Sequence, residues 1–168
     1  QPFLLLLLIP FSWTTVAWGH LVHGFPVNVI SLLGVIALVG ILVNDGLVLI
    51  SKFNSNLRAG KSYDESLFGA GKERFRAIFL TSITTMAGLA PIIFEKSFQA
   101  QLLKPMAISI AYGIGYATFL TLILLPILLS LTNTFKLNFV WLRSGKKLDK
   151  REVEAPVIEL KREKKWEN

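Results

Sequence analysis

Apolar residues fall into four long blocks divided by short polar or basic stretches. A bilayer core about 30 Å thick is crossed by roughly 20 apolar residues in a helix, so the pattern predicts membrane helices over about 3–22, 27–53, 77–94 and 102–131. Pro10 lies inside the first block and predicts a kink there, which membrane helices tolerate. Gly24 and Pro26 break the chain before the second block. The second and fourth blocks exceed the length a bilayer needs, so they must tilt or run past the hydrocarbon. Residues 54–76 are read as a loop. Inside it, Ser62 and Glu65 have capping-box spacing, which predicts a short helix over about 63–72. Leu67, Phe68 and Phe75 either meet the membrane interface or belong to an ordinary surface helix. After Thr134 the apolar character fades. Phe135, Phe139, Trp141 and Leu142 suit the interface, and 146–168 is charged with mixed sign, either a marginal helix or without fixed structure. The organisation is therefore a transmembrane bundle over 1–134 and a basic tail over 135–168.

Composition agrees with an all-α membrane fold. Apolar residues make up 52% and charged residues 17%, and the charges are segregated. Residues 1–51 carry only Asp45, residues 77–135 carry Glu95, Lys96 and Lys104, and the other charges sit in 52–76 and the tail. The absence of cysteine excludes a disulfide scaffold. Charge confined to two blocks excludes a nucleic-acid module with a basic binding face. The first block has no basic stretch before it and is followed by more apolar blocks, unlike a signal peptide. The Lys/Arg bias places 52–76 and the tail on the cytoplasmic side, with the 19–28 turn and the 95–104 connection outside. The net charge of +7 thus reports orientation rather than a partner.

The informative polar residues lie inside the apolar blocks. A carboxylate at mid-bilayer costs at least about 2.5–3.5 kcal/mol, so Asn44 and Asp45 must face protein or water. At about 100° per residue, Asn44 shares a face with Ala37, Gly40 and Ser51, small residues suited to close helix contact. Asp45 lies one step round, beside Leu38, Ile41 and Leu49. In the third block Arg74, Thr81, Thr84, Thr85 and Gly88 fall on one face, with Arg74 at its cytoplasmic mouth. Hydroxyls in such a row can orient water and protons, or simply bond back to their own helix. Beside the Asn-Asp pair, the row favours a polar pathway through the bundle. Ser109, Tyr112, Gly113, Gly115, Tyr116, Thr118 and Thr121 in the fourth block indicate tight packing rather than chemistry.

Other motifs carry less. Gly69-Ala-Gly-Lys72 lacks the first glycine of a phosphate loop, and Glu73 stands where its Ser/Thr belongs. His20 and His23 are two ligands without a third, better read as interfacial histidines than as a metal site. No nucleophile–base constellation is present, so catalysis has no support, and no cofactor is expected.

The run Gly34-Val-Ile-Ala-Leu-Val-Gly-Ile-Leu-Val-Asn-Asp-Gly-Leu-Val-Leu49 resembles the tenth membrane helix of resistance-nodulation-division (RND) efflux permeases. Arg74-Phe-Arg-Ala-Ile-Phe-Leu-Thr-Ser82, with Thr85, Gly88, Leu89 and Pro91, resembles the eleventh. Ser97-Phe-Gln-Ala-Gln-Leu-Leu-Lys-Pro-Met106 and Leu125-Pro126 are similar to the twelfth, and Ile9-Pro10 with Gly19-His20 to the ninth. The resemblance covers about 1–132. It implies the C-terminal membrane portion of a twelve-helix, proton-driven exporter of the bacterial inner membrane, with the tail cytoplasmic. The partners it implies are the remaining helices and periplasmic domains of the same permease, two further copies in a homotrimer, a periplasmic adaptor, an outer-membrane channel and the lipid bilayer. Arg74 matches the family's basic residue at the cytoplasmic end of the eleventh helix, and Thr81 its relay threonine. The relay lysine of drug pumps falls at Asn44, which has no charge, so either another group replaces it, or Asp45 takes part, or coupling differs. The family's main proton-carrying acids belong to its fourth helix, outside this sequence. The chain opens without Met and is read as part of something longer. A stand-alone four-helix scaffold protein or an inactive gene fragment is the alternative.

Overall fold

The computed structural model describes residues 2–144 and 149–166, and among them every regular element is helical. Helix α1 spans Pro2–His23, α2 Val29–Arg58 and α3 Tyr63–Phe94; α4 (Phe98–Phe119) passes through a π-helical turn (Leu120–Leu124) into α5 (Leu125–Ser144), and α6 spans Ala155–Trp166. Four of the resulting rods are long and apolar enough to cross a membrane: Phe3–His23, Val29–Arg58, Tyr63–Phe94 and Phe98–Leu142.

The connections follow from local chemistry. Gly24 takes φ +67°, a left-handed conformation open to glycine, and ends α1. Asn28 caps α2 through a reciprocal pair of bonds with Ser31. Ser62 and Glu65 form the anticipated capping box at the start of α3. Glu95 Oε1 accepts from the backbone N–H groups of Ser97 and Lys96 and so shapes the turn into α4.

Two expected features differ. Residues 54–76 are not a loop around a short helix. α2 continues to Arg58, α3 starts at Tyr63, and only 59–62 are non-helical. No proline interrupts 63–76, and its Lys, Glu and Arg residues are good helix formers, so the capped helix runs straight into the membrane block. The fourth block, expected over 102–131, also runs longer: the helix passes Pro126 and continues to Ser144. Proline cannot donate to a carbonyl four residues back and its ring crowds that carbonyl. The π turn lies immediately before it, with Leu125 N–H donating to Leu120 O, and the widened turn lets the helix continue.

The α4–α5 rod is the hub, touched by α1, α2 and α3. Small residues let the neighbours approach. Gly34 on α2 sits against Met106 and Ser109, Gly113 against Leu38, Gly115 against Met86, and Gly19 against Tyr112, as the small residues of the fourth block anticipated. Leu8, Leu38, Leu42, Leu49, Phe53 and Leu125 are among the fully buried core residues. α3 is the least covered rod; its buried residues are Tyr63, Ser66, Leu67, Ala70, Ile78 and Ser82.

Residues 149–166 fold back on the end of the bundle. Glu154, 2% exposed, accepts from Asn133 Nδ2 at 2.8 Å and pairs with Lys136 at 3.2 Å. Arg151 donates to the Leu57 carbonyl, Lys150 pairs with Asp64 and Arg58 with Glu159. The tail therefore contains a docked helix, whose own Val157 is buried against the bundle.

Candidate functional site

The midpoint of α2 is oriented by Gly46. It is buried, and a Cβ there would collide with Leu5 of α1. Asn44 lies two residues back, about 200° round the helix, and is exposed; Asp45 between them is half-buried. Ala37, Gly40 and Ser51, which share the Asn44 face, are exposed as well, and a Cβ on Gly40 would meet nothing within 4 Å. Neither Asn44 nor Asp45 makes a hydrogen bond or ion pair among the described residues. The small stripe is thus left open rather than used for packing within this chain.

On α3, Ile78 and Ser82 turn inward, and the Ser82 hydroxyl meets Thr118 of α4. This sets the outward direction for the neighbouring hydroxyls. Thr81 and Thr84 are exposed and Thr85 partly so. Thr81 Oγ1 donates to Ala77 O at 2.7 Å, Thr84 Oγ1 bonds to Leu80 O and Thr81 O, and Thr85 Oγ1 donates to Thr81 O at 2.8 Å. Each hydroxyl proton is directed at its own helix, and the remaining oxygen lone pairs can accept from water or a donor outside. Arg74 is half-exposed and makes no ion pair among the described residues, while its neighbour Glu73 is held by Lys52 at 2.6 Å. No bond joins the α2 pair to the α3 stripe, so the two polar faces remain separate within this chain.

Sequence reasoning missed the polar contacts that hold the hub. His20, 2% exposed, has Nε2 at 2.9 Å from Ser109 Oγ and Nδ1 at 3.3 Å from Phe25 O. His23 Nε2 lies 3.1 Å from the Tyr112 hydroxyl, with the two rings edge to face. The histidines therefore tie α1 to α4, and among the described residues no group of three metal-ligand side chains forms. Only the i, i+3 spacing of the two histidines and of Ser109 and Tyr112 hinted at matching faces.

Four long apolar rods, three of them packed on the fourth, with open polar faces at mid-span, define a polytopic all-α membrane protein. The α2 and α3 motifs narrow the class. The profile of the AcrB/AcrD/AcrF family matches residues 1–133, and the chain belongs to that family, the RND permeases. Similar proteins include the swarming motility protein SwrC of Bacillus subtilis, 29% identical over 136 residues, 80% of this chain and 13% of SwrC. The cobalt-zinc-cadmium resistance protein CzcA of Cupriavidus metallidurans is 30% identical over 125 residues, 74% of this chain and 12% of CzcA. The multidrug resistance protein MdtC of Serratia proteamaculans is 28% identical over 127 residues, 75% and 12%. The chain spans about an eighth of the length of these relatives. No solved structure gives a significant match.

Proposed function

We propose that this chain is the C-terminal membrane portion of a proton-driven efflux permease of the bacterial inner membrane, with α6 on the cytoplasmic side, and that it supplies one wall of the proton pathway. The observation carrying this reading is the open Asn44–Asp45 face at mid-span. An unpartnered carboxylate facing lipid costs at least about 2.5–3.5 kcal/mol, so further protein or water must cover it. The open threonine face of α3 makes the same demand less strongly. The remaining helices of the permease cover both, in a homotrimer that works with a periplasmic adaptor and an outer-membrane channel.

Within that wall Asp45 is the titrating group. Asn44 carries no charge and cannot form a switching ion pair, so the proton load falls on its neighbour. Thr81, Thr84 and Thr85 offer outward lone pairs to a water chain, and Arg74 holds a positive charge at its cytoplasmic mouth. One charge moved through 100 mV supplies about 2.3 kcal/mol. The test uses the full-length protein in inverted membrane vesicles, with substrate-induced proton release followed by a pH dye. Asp45→Asn abolishes the signal and Thr81→Ala lowers it at least tenfold, with expression intact in both. Unchanged efflux in Asp45→Asn overturns the assignment.

A further inference from the structure

We propose that the groove between α3 and the π turn of the α4–α5 rod holds an acyl chain of an anionic phospholipid, with its headgroup on Lys72 and Arg76. A cavity of about 250 Å³ opens there, lined chiefly by Phe75, Phe79, Ile83, Met86, Phe119 and Ile123. A second, of about 590 Å³, shares Leu122 and Ile123 with it and extends to Lys72 and Ser130. The shared residues belong to the π turn, a feature frequent at functional sites. An apolar hollow of this kind stays dry, and at membrane depth hydrocarbon is what fills it.

The charges specify which lipid. Phe68, Lys72, Arg76, Phe79 and Ile83 fall on one face of α3 at about 100° per residue. The apolar run 77–94 begins directly after Arg76 and covers about 27 Å at the helical rise, so both cations stand at the hydrocarbon boundary. Lys72 and Arg76 make no ion pair among the described residues. Asp64, the acid lining the second cavity, is engaged by Lys150 at 3.2 Å. Glu73 is engaged by Lys52. The rim is left positive, which complements a phosphate headgroup without a neutralising choline. The small cavity cannot seat another helix, whose diameter with side chains is about 10–12 Å, but accommodates one extended chain. The inference requires only that α3 crosses the membrane and is independent of the proton pathway.

The full-length protein is reconstituted with dioleoylphosphatidylglycerol or dioleoylphosphatidylcholine, and retained lipid is counted by native mass spectrometry. A basic residue at an anionic surface is worth about a fivefold change in binding. Lys72→Gln with Arg76→Gln therefore lowers phosphatidylglycerol retention about 25-fold and leaves phosphatidylcholine retention unchanged. Ile83→Trp, at a position 42% exposed and tolerant of bulk, fills the groove and displaces both lipids. Equal retention of the two lipids by the unaltered protein overturns the proposal. So does phosphatidylglycerol retention that survives the substitutions, and so does a groove occupied by another segment of protein.

Discussion

At Gly34 the α2 helix lies against the backbone of the hub, and adding one methyl group there tests how the bundle is packed. A Cβ at this position would lie 2.7 Å from the Met106 carbonyl oxygen, 2.9 Å from Ser109 Cβ and 3.2 Å from Met106 Cα. Ordinary contact begins at 3.4 Å, so 3.4 minus 2.7 leaves roughly 0.7 Å for the helices to separate. The obstacle is backbone and cannot rotate away. A gap of about 0.5–1 Å forfeits a quarter to a half of each neighbouring contact, and Val35, next to Gly34, Leu38, one turn on, and Ile108, next to Ser109, are all buried. Overpacking of this kind costs about 1–3 kcal/mol, and the immovable obstacle puts Gly34→Ala in the upper half. The helix propensity of alanine returns up to about 1 kcal/mol, leaving a net loss of about 1–2 kcal/mol. Measured on residues 1–168 alone, where the Gly40 face is uncovered, Gly40→Ala gains the same propensity and meets nothing within 4 Å, so it is the matched control. Unfolding in mixed micelles titrated with a denaturing detergent, followed by helical circular dichroism, measures the difference. A midpoint for Gly34→Ala equal to or above that of Gly40→Ala refutes the packing argument.

Two further outcomes are expected. Glu154→Ala removes the acceptor of Asn133 and Lys136; the lysine is 36% exposed and rehydrates, so the loss is about 1–3 kcal/mol. Proteolysis and hydrogen exchange over 149–163 increase in this variant, while Lys161→Ala, which removes an exposed pair with Glu152, changes little; equal protection in both would show that α6 is held by something else. The Glu95 carboxyl is held below its ordinary 4.5 by the backbone N–H groups of Ser97 and Lys96. A depressed folded value means that the stabilisation is present above 4.5 and disappears as pH falls through the lower folded value. Amide protection at Lys96 and Ser97, corrected for intrinsic rates, is level from pH 7 to 5 and drops only below the ordinary 4.5; Glu95→Gln removes that pH dependence.

Much of the architecture was legible because it depends on sums over neighbouring residues. Long runs of apolar residues predict membrane rods wherever they occur, and the Ser62–Glu65 box and the Gly24 turn are short-range chemistry complete within a few positions. The motifs around Asn44, Asp45, Arg74 and Thr81 were recognisable for a different reason: polar groups at membrane depth are costly and stand out. The 54–76 loop was misjudged because charge was taken for irregularity, whereas a capped run of Lys, Glu and Arg is a good helix. The π turn before Pro126 was not anticipated, because a change of helical register leaves no residue signature beyond the proline itself.

By itself, the sequence determined that the chain crosses the membrane, how many long rods it forms, and which few polar residues need an explanation. Tertiary structure decided what those rods face. In a bilayer, lipid and protein neighbours are equally apolar, so hydropathy cannot tell a buried leucine from a lipid-facing one. Only the packed arrangement makes α4 the hub, sends Ser82 inward and Thr81 outward, leaves Asn44 open while burying Gly46, and closes Glu154 under the tail. Each of these is a contact between residues far apart in the chain, fixed by which surfaces fit together rather than by the composition of any one segment.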